Sequence, residues 1–354
     1  MSNQQNTLID QPGLILSTNN SENWWDSDHI SSPEVIHCAD GTWRMWYYGR
    51  DRKFDPLVKL PSGRCGLAVS SDGVNWERIK GPLTMGAVFE PHPDPNRFDS
   101  SHVGVTSVCF QDNLYWMWYF GGNQIIENFG FDVKGIHMLP GCAISRDGIN
   151  WVRLEGPFQG AFLDRGKAGE FDALFCTMPN VIRDDDNTWK TYYHTLNLET
   201  RQFFIGLAVS TDGFTWEKIG QILGPGVSGS FDENGLGTRH ILKINSQYVM
   251  FYEGVNKDSY FSIGVAISDD GIKWKKQLGS EENGSVFTHA PKGSGGWDAH
   301  AVGTPCVVPM ADGSFRMYYV GCDEGGNTEL DCKHQIGLAI SDGTNFLKWN
   351  RWEN

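Results

Sequence analysis

The 354-residue sequence is poor in charge, with only 20% Asp, Glu, Lys and Arg, and its 29 basic residues are outnumbered by 43 acidic ones, for a formal net charge of −14. With no basic run and an acidic excess, it lacks the electrostatic footprint of a nucleic-acid binder. It contains no stretch near the roughly 18 consecutive apolar residues of a membrane-spanning helix. Between Met1 and Ser17 there is no basic segment followed by an apolar core, so no secretory leader is expected. The eight cysteines include no CxxC pair and no zinc spacing. Most sit in apolar, strand-like runs such as Cys65-Gly66-Leu67-Ala68-Val69. They read as buried free thiols, which predicts a cytoplasmic protein. Cys322 and Cys332 flank one loop and could bridge, but nothing in the sequence requires it.

What is abundant is aromatic side chains, at 13%, and glycine, at 42 residues. Such a composition excludes disorder and points to an ordered core. Self-comparison supplies the organisation. The pattern Ser-x-Asp-Gly-x-x-Trp begins at Ser70, Ser145, Ser210 and Ser268, with a degenerate copy from Ser341 to Trp349. Each copy follows a short apolar run, and an Asp-Gly between two strand-like runs is a hairpin signal. Upstream of each copy stands an aromatic residue followed by aspartate: Trp25-Asp26, Phe98-Asp99, Phe171-Asp172, Phe231-Asp232 and Trp297-Asp298. An aromatic strand lies between the two signals, as in Trp43 to Gly49 and Phe315 to Gly321.

These repeats predict an all-β, five-bladed β-propeller of four-stranded antiparallel blades. Four of the units are followed by a Gly-led apolar scrap, such as Gly81-Pro82-Leu83. The fifth has none, and its counterpart is Gly13-Leu14-Ile15-Leu16 at the other terminus. The N-terminal strand is therefore expected to complete the last blade and cover an open edge. Residues 1–12 form a tail and 13–354 a single domain.

The connections on one face are short and alike, whereas those on the other are long and unlike one another, which places the site at the second face. The five repeated aspartates have a scaffold explanation first, as caps at their own blade junctions; the other reading is a carboxylate ring at the channel mouth. Residues that break the repeat are more informative. His29, His102 and His300 follow the aspartates in three units, and in the fourth Arg239, followed by His240, replaces the proline or threonine found in the others. His194 and Glu253 occupy matching positions at the ends of aromatic strands. Two chemistries suit this set. Carboxylates across a channel can cleave an acetal; alternating aspartate and histidine can hold a divalent cation in the central channel.

The architecture and the run Gly66 to Ile79 (GLAVSSDGVNWERI) resemble the five-bladed propeller superfamily of arabinanases, β-xylosidases, invertases and levansucrases. The resemblance spans residues 13–352. It implies a glycan or small-molecule pocket at the channel mouth, acid/base carboxylates from the first three blades and often a central cation. The superfamily's catalytic motifs do not carry over. Its base position holds Ser32-Pro33, its acid position Thr177-Met178-Pro179, and the second-blade stretch Val105-Thr106-Ser107. Two expectations follow. In the first, the chain is glycoside hydrolase-like, with Asp26 and Asp99 as base and modulator, Glu253 as acid, and His194 beside them. His29, His102, Asp172, Asp232, Arg239, His240, Asp298 and His300 then contact the substrate. In the second, the propeller serves other work, as a His/Asp-lined biosynthetic enzyme with a metal or as a small-ligand-binding protein.

Overall fold

The computed structural model describes residues 11–21, 24–51, 62–128, 132–134, 137–325 and 332–353. Apart from one short 3-10 turn, every regular element among them is a β-strand. The same four-strand antiparallel unit recurs along the chain. The first runs His29–His37, Trp43–Arg50, Gly63–Ser70 and Glu77–Ile79. The second runs His102–Gln111, Leu114–Gly122, Met138–Ser145 and Val152–Leu154. Thr177–Arg183 to Glu217–Leu223 and Gly235–Ile244 to Lys275–Gln277 share one eight-stranded sheet, joined by the single pair Phe203↔Gly235. The last set, Ala301–Pro309, Phe315–Cys322, His334–Asp342 and Asn345–Arg351, is joined by Leu14–Leu16, which pairs Leu14 with Gly337.

The turns explain why the repeat exists. In the third unit the Ser210 hydroxyl donates to Asp212 and accepts the N–H of Gly213, whose φ of +79° suits glycine. The N–H groups of Thr215 and Phe214 draw the Asp212 carboxyl down to about 2. Neighbouring units lock onto these turns. Trp46 Nε1 donates to the Gly148 carbonyl, Tyr192 to that of Gly271, and Tyr318 to that of Gly73.

The first strands of consecutive units adjoin, and the first strand of the last unit adjoins that of the first. One column of side chains ties them together. Ser107 Oγ accepts the N–H of Val181, Asn180 Oδ1 that of Ile241, and His240 Nδ1 that of Val307. Cys306 Sγ accepts the N–H of Val35, and the Glu34 carboxyl that of Val108. Each acceptor thus holds the backbone of the next unit, and the last of them holds the first.

Candidate functional site

The five aspartates are buried beside their own units. Each gives one oxygen, Oδ2, to a tyrosine hydroxyl of the aromatic strand: Asp26 to Tyr47, Asp99 to Tyr119, Asp172 to Tyr193, Asp232 to Tyr252 and Asp298 to Tyr319, all at 2.9–3.0 Å. The same oxygen meets a cation from the unit's last strand: Arg78, Arg153, Lys218, Lys276 or Arg351. Asp26 and Asp99 are fully buried, and their second oxygens make no hydrogen bond. These partners neutralise each of the five carboxylates, whose charge burial would otherwise penalise.

The side chains that break the repeat do not form one cluster; they fall into separate groups. Arg239 and His240 are consecutive on a strand and therefore face opposite sides. Arg239 is buried, donates to the Tyr192 carbonyl at 2.8 Å and to His194 Nδ1 at 3.3 Å, and is held down to about 9 by burial, against the opposing charge of Glu253. Because a guanidinium only donates, His194 carries its proton on Nε2. Burial, followed by the Arg239 charge, holds His194 down to about 3, so it is neutral at pH 7. Glu253 completes this group. Its Oε2 accepts the Thr304 N–H at 3.0 Å and the Thr238 hydroxyl at 3.2 Å. It is wedged between two glycines: a Cβ on Gly237 or Gly303 would come within 2.1 or 2.0 Å of its oxygens. His194, Arg239 and Glu253, singled out in sequence, are thus one connected group.

His102 accepts the Gly63 N–H at 3.2 Å and lies between Tyr48 and Phe120. His29 is buried, with Nδ1 2.6 Å from Asp28 and its ring against His334. His300 packs on Tyr260, and its backbone N–H donates to the Cys322 carbonyl. His240 stands with Glu34 and Cys306, their ligand atoms within 4.8 Å of one another. All three groups also accept a backbone N–H across a unit boundary.

A narrow pocket among the first strands of the units is lined by Ser32, Glu34, Thr106, Met178, Thr238, Arg239, Thr304 and Pro305. Ser32, Met178 and Thr304 have φ of 49°, 52° and 43°, at bulges in their strands. Each precedes a proline, which disfavours the ordinary helical conformation and marks where the strand must break. Strained non-glycine residues and bulges gather at sites. Sequence reasoning missed Glu34, which lines this pocket and whose carboxyl burial holds well above its ordinary range. The available signal was its column: it matches Ser107, Asn180, His240 and Cys306 and is the acidic member.

No protein-family model matches the chain. It is 24% identical over 303 residues to "Uncharacterized protein Rv1502" of Mycobacterium tuberculosis (strain ATCC 25618 / H37Rv), covering 83% of this chain and 89% of that one. It is also 24% identical over 264 residues to Beta-1,2-mannobiose phosphorylase of Thermoanaerobacter sp. (strain X514), covering 70% of this chain and 72% of that enzyme. Among solved structures, a glycosyl hydrolase from Bacteroides ovatus superposes with a TM-score of 0.67 at 17% identity, over 96% of this chain and 97% of that one. A structure from the GH130 family of mannoside phosphorylases, which contains glycoside hydrolases that target beta-1,2 mannosidic linkages in Candida mannan, gives 0.64 at 18% identity, over 97% and 98%. The fold is that of the glycoside hydrolase-like propellers.

Proposed function

We propose that residues 13–354 form one closed five-bladed propeller that binds a carbohydrate at its channel mouth and cleaves a glycosidic bond by carboxylate acid/base chemistry in the cytoplasm. The acceptor column that passes from each unit to the next and back to the first supports the closed ring, and the Leu14–Leu16 pairing supports an N-terminal strand in the last blade. The glycoside-processing relatives support the substrate class.

The observation that carries the chemistry is Glu253. It is the carboxylate that breaks the repeat at the end of an aromatic strand, fixed by Thr304 and Thr238 with Arg239 and His194 behind it. A carboxyl so placed exchanges a proton with the glycosidic oxygen or with the attacking group. Cleavage needs a second participant: a second carboxyl, or phosphate as the nucleophile itself. We assign the second carboxyl to Glu34 on the pocket wall; burial raises its pKa, which suits a proton donor to the glycosidic oxygen and leaves Glu253 to take the proton of the attacking water. Asp26 and Asp99 are fully buried, with Oδ2 committed to tyrosine and arginine.

The test is turnover of β-1,2-mannobiose and a panel of oligosaccharides and aryl glycosides, with and without inorganic phosphate. Phosphate-dependent release identifies a phosphorylase and phosphate-independent release a hydrolase. Either rate should fall by about 10²–10⁴-fold in Glu253→Gln. A second reading, a glycan-binding protein without turnover, is favoured by the non-acidic Ser32 and Thr106 that line the pocket and by the buried Thr177. Saturable glycan binding without product under either condition would select it.

A further inference from the structure

At the seam between the last and first units lies a thiol–imidazole cluster that this functional reading does not use. Cys322 ends the strand Phe315–Cys322 and pairs directly with His334, which opens the next strand. Cys332 stands two residues before His334. The two sulfurs and a His334 ring nitrogen lie within 4.8 Å of one another, and both cysteines are buried. From the first unit, His29 packs edge-on against His334, with ring centroids 4.7 Å apart. Asp28 holds His29 Nδ1 at 2.6 Å, and the ring's buried Nε2 side meets the Cys332 main chain.

We propose that Cys322, Cys332 and His334 bind a zinc-class divalent metal, with His29 facing the fourth position, so that the ion clasps the last unit to the first. Two thiolates and an imidazole are the ligand set of such an ion and not of magnesium or calcium, which take oxygen. A carboxylate on the far nitrogen of a histidine orients the ring toward a metal and raises its basicity, the role Asp28 has for His29. A disulfide between the same sulfurs, 2.6 Å apart here, is the competing chemistry.

The test is metal content and a free-thiol count on the full chain, purified without chelator, together with cobalt(II) substitution. The proposal expects one zinc per chain, all eight thiols recovered after denaturation in chelator, and a thiolate-to-cobalt charge-transfer band. Cys332→Ser and His334→Ala should abolish stoichiometric binding. Asp28→Asn, which keeps the packing, should weaken it by about 10–100-fold. Loss of two thiols to a disulfide would overturn the proposal, as would a folded, fully reduced chain that takes up no zinc. Zinc content unchanged in both ligand variants would also overturn it.

Discussion

The repeated aromatic–aspartate corners and the far ends of the aromatic strands both carry ionisable groups, yet they are built on opposite terms. At the corners five aspartates have five equivalent solutions, each a tyrosine hydroxyl and a cation on one oxygen. At the strand ends no two units agree: Tyr48, Phe120, His194, Glu253 and Val320 occupy corresponding positions. Repetition marks groups whose charge the fold itself neutralises. Singularity marks groups left to meet something else.

The corner is where substitution should cost the most stability. In Asp99→Ala the Arg153 guanidinium loses its buried partner, and breaking such a pair costs about 3–5 kcal/mol. A large drop in the urea midpoint would show it; an unchanged midpoint would break the contrast. Gly303→Ala tests the strand ends. Its Cβ would enter the space of Glu253 Oε2, and overpacking of this kind costs about 1–3 kcal/mol. Activity should suffer with it, because Glu253 is displaced; wild-type turnover would remove Glu253 from the site.

The pocket wall yields a pH prediction. Burial raises the folded-state pKa of Glu34, so its contribution favours folding at low pH and is lost as pH rises through the unfolded value near 4.5 toward the folded one. Glu34→Gln should therefore gain stability at pH 7 relative to wild type and gain little at pH 4. His194 has the opposite sign. Its folded pKa of about 3 lies below the ordinary 6.5, so stability present above 6.5 is lost as pH falls toward 3. His194→Gln should flatten that acid limb, read by urea titrations at pH 7 and pH 4. The smallest effect should come from the exposed turns: Asp212→Ala removes the side-chain acceptor of two N–H groups and should lower the urea midpoint only slightly.

Much of the fold could be read in the sequence because its turns are local. Ser210, Asp212 and Gly213 solve their hydrogen bonding within six residues, so the pattern survives copying. The Gly13 scrap was readable for the same reason, as a piece missing from the last unit. The column Glu34, Ser107, Asn180, His240 and Cys306 was not. Its members share a position and an acceptor atom but no chemistry, and each partner lies in another unit. His29 and Cys332 meet across some 300 residues of chain, which no local pattern encodes. Glu253, Arg239 and His194 were found because they depart from their columns, although their union depended on strand register.

The central claim is that the chemistry belongs to Glu253, while the corner aspartates belong to the scaffold. Paired kcat/KM and unfolding measurements on Glu253→Gln and Asp99→Asn test it most directly. Glu253→Gln should still fold and lose turnover, whereas Asp99→Asn should lose stability while any folded fraction retains its kcat/KM. A stable, inactive Asp99→Asn beside an active Glu253→Gln would contradict it.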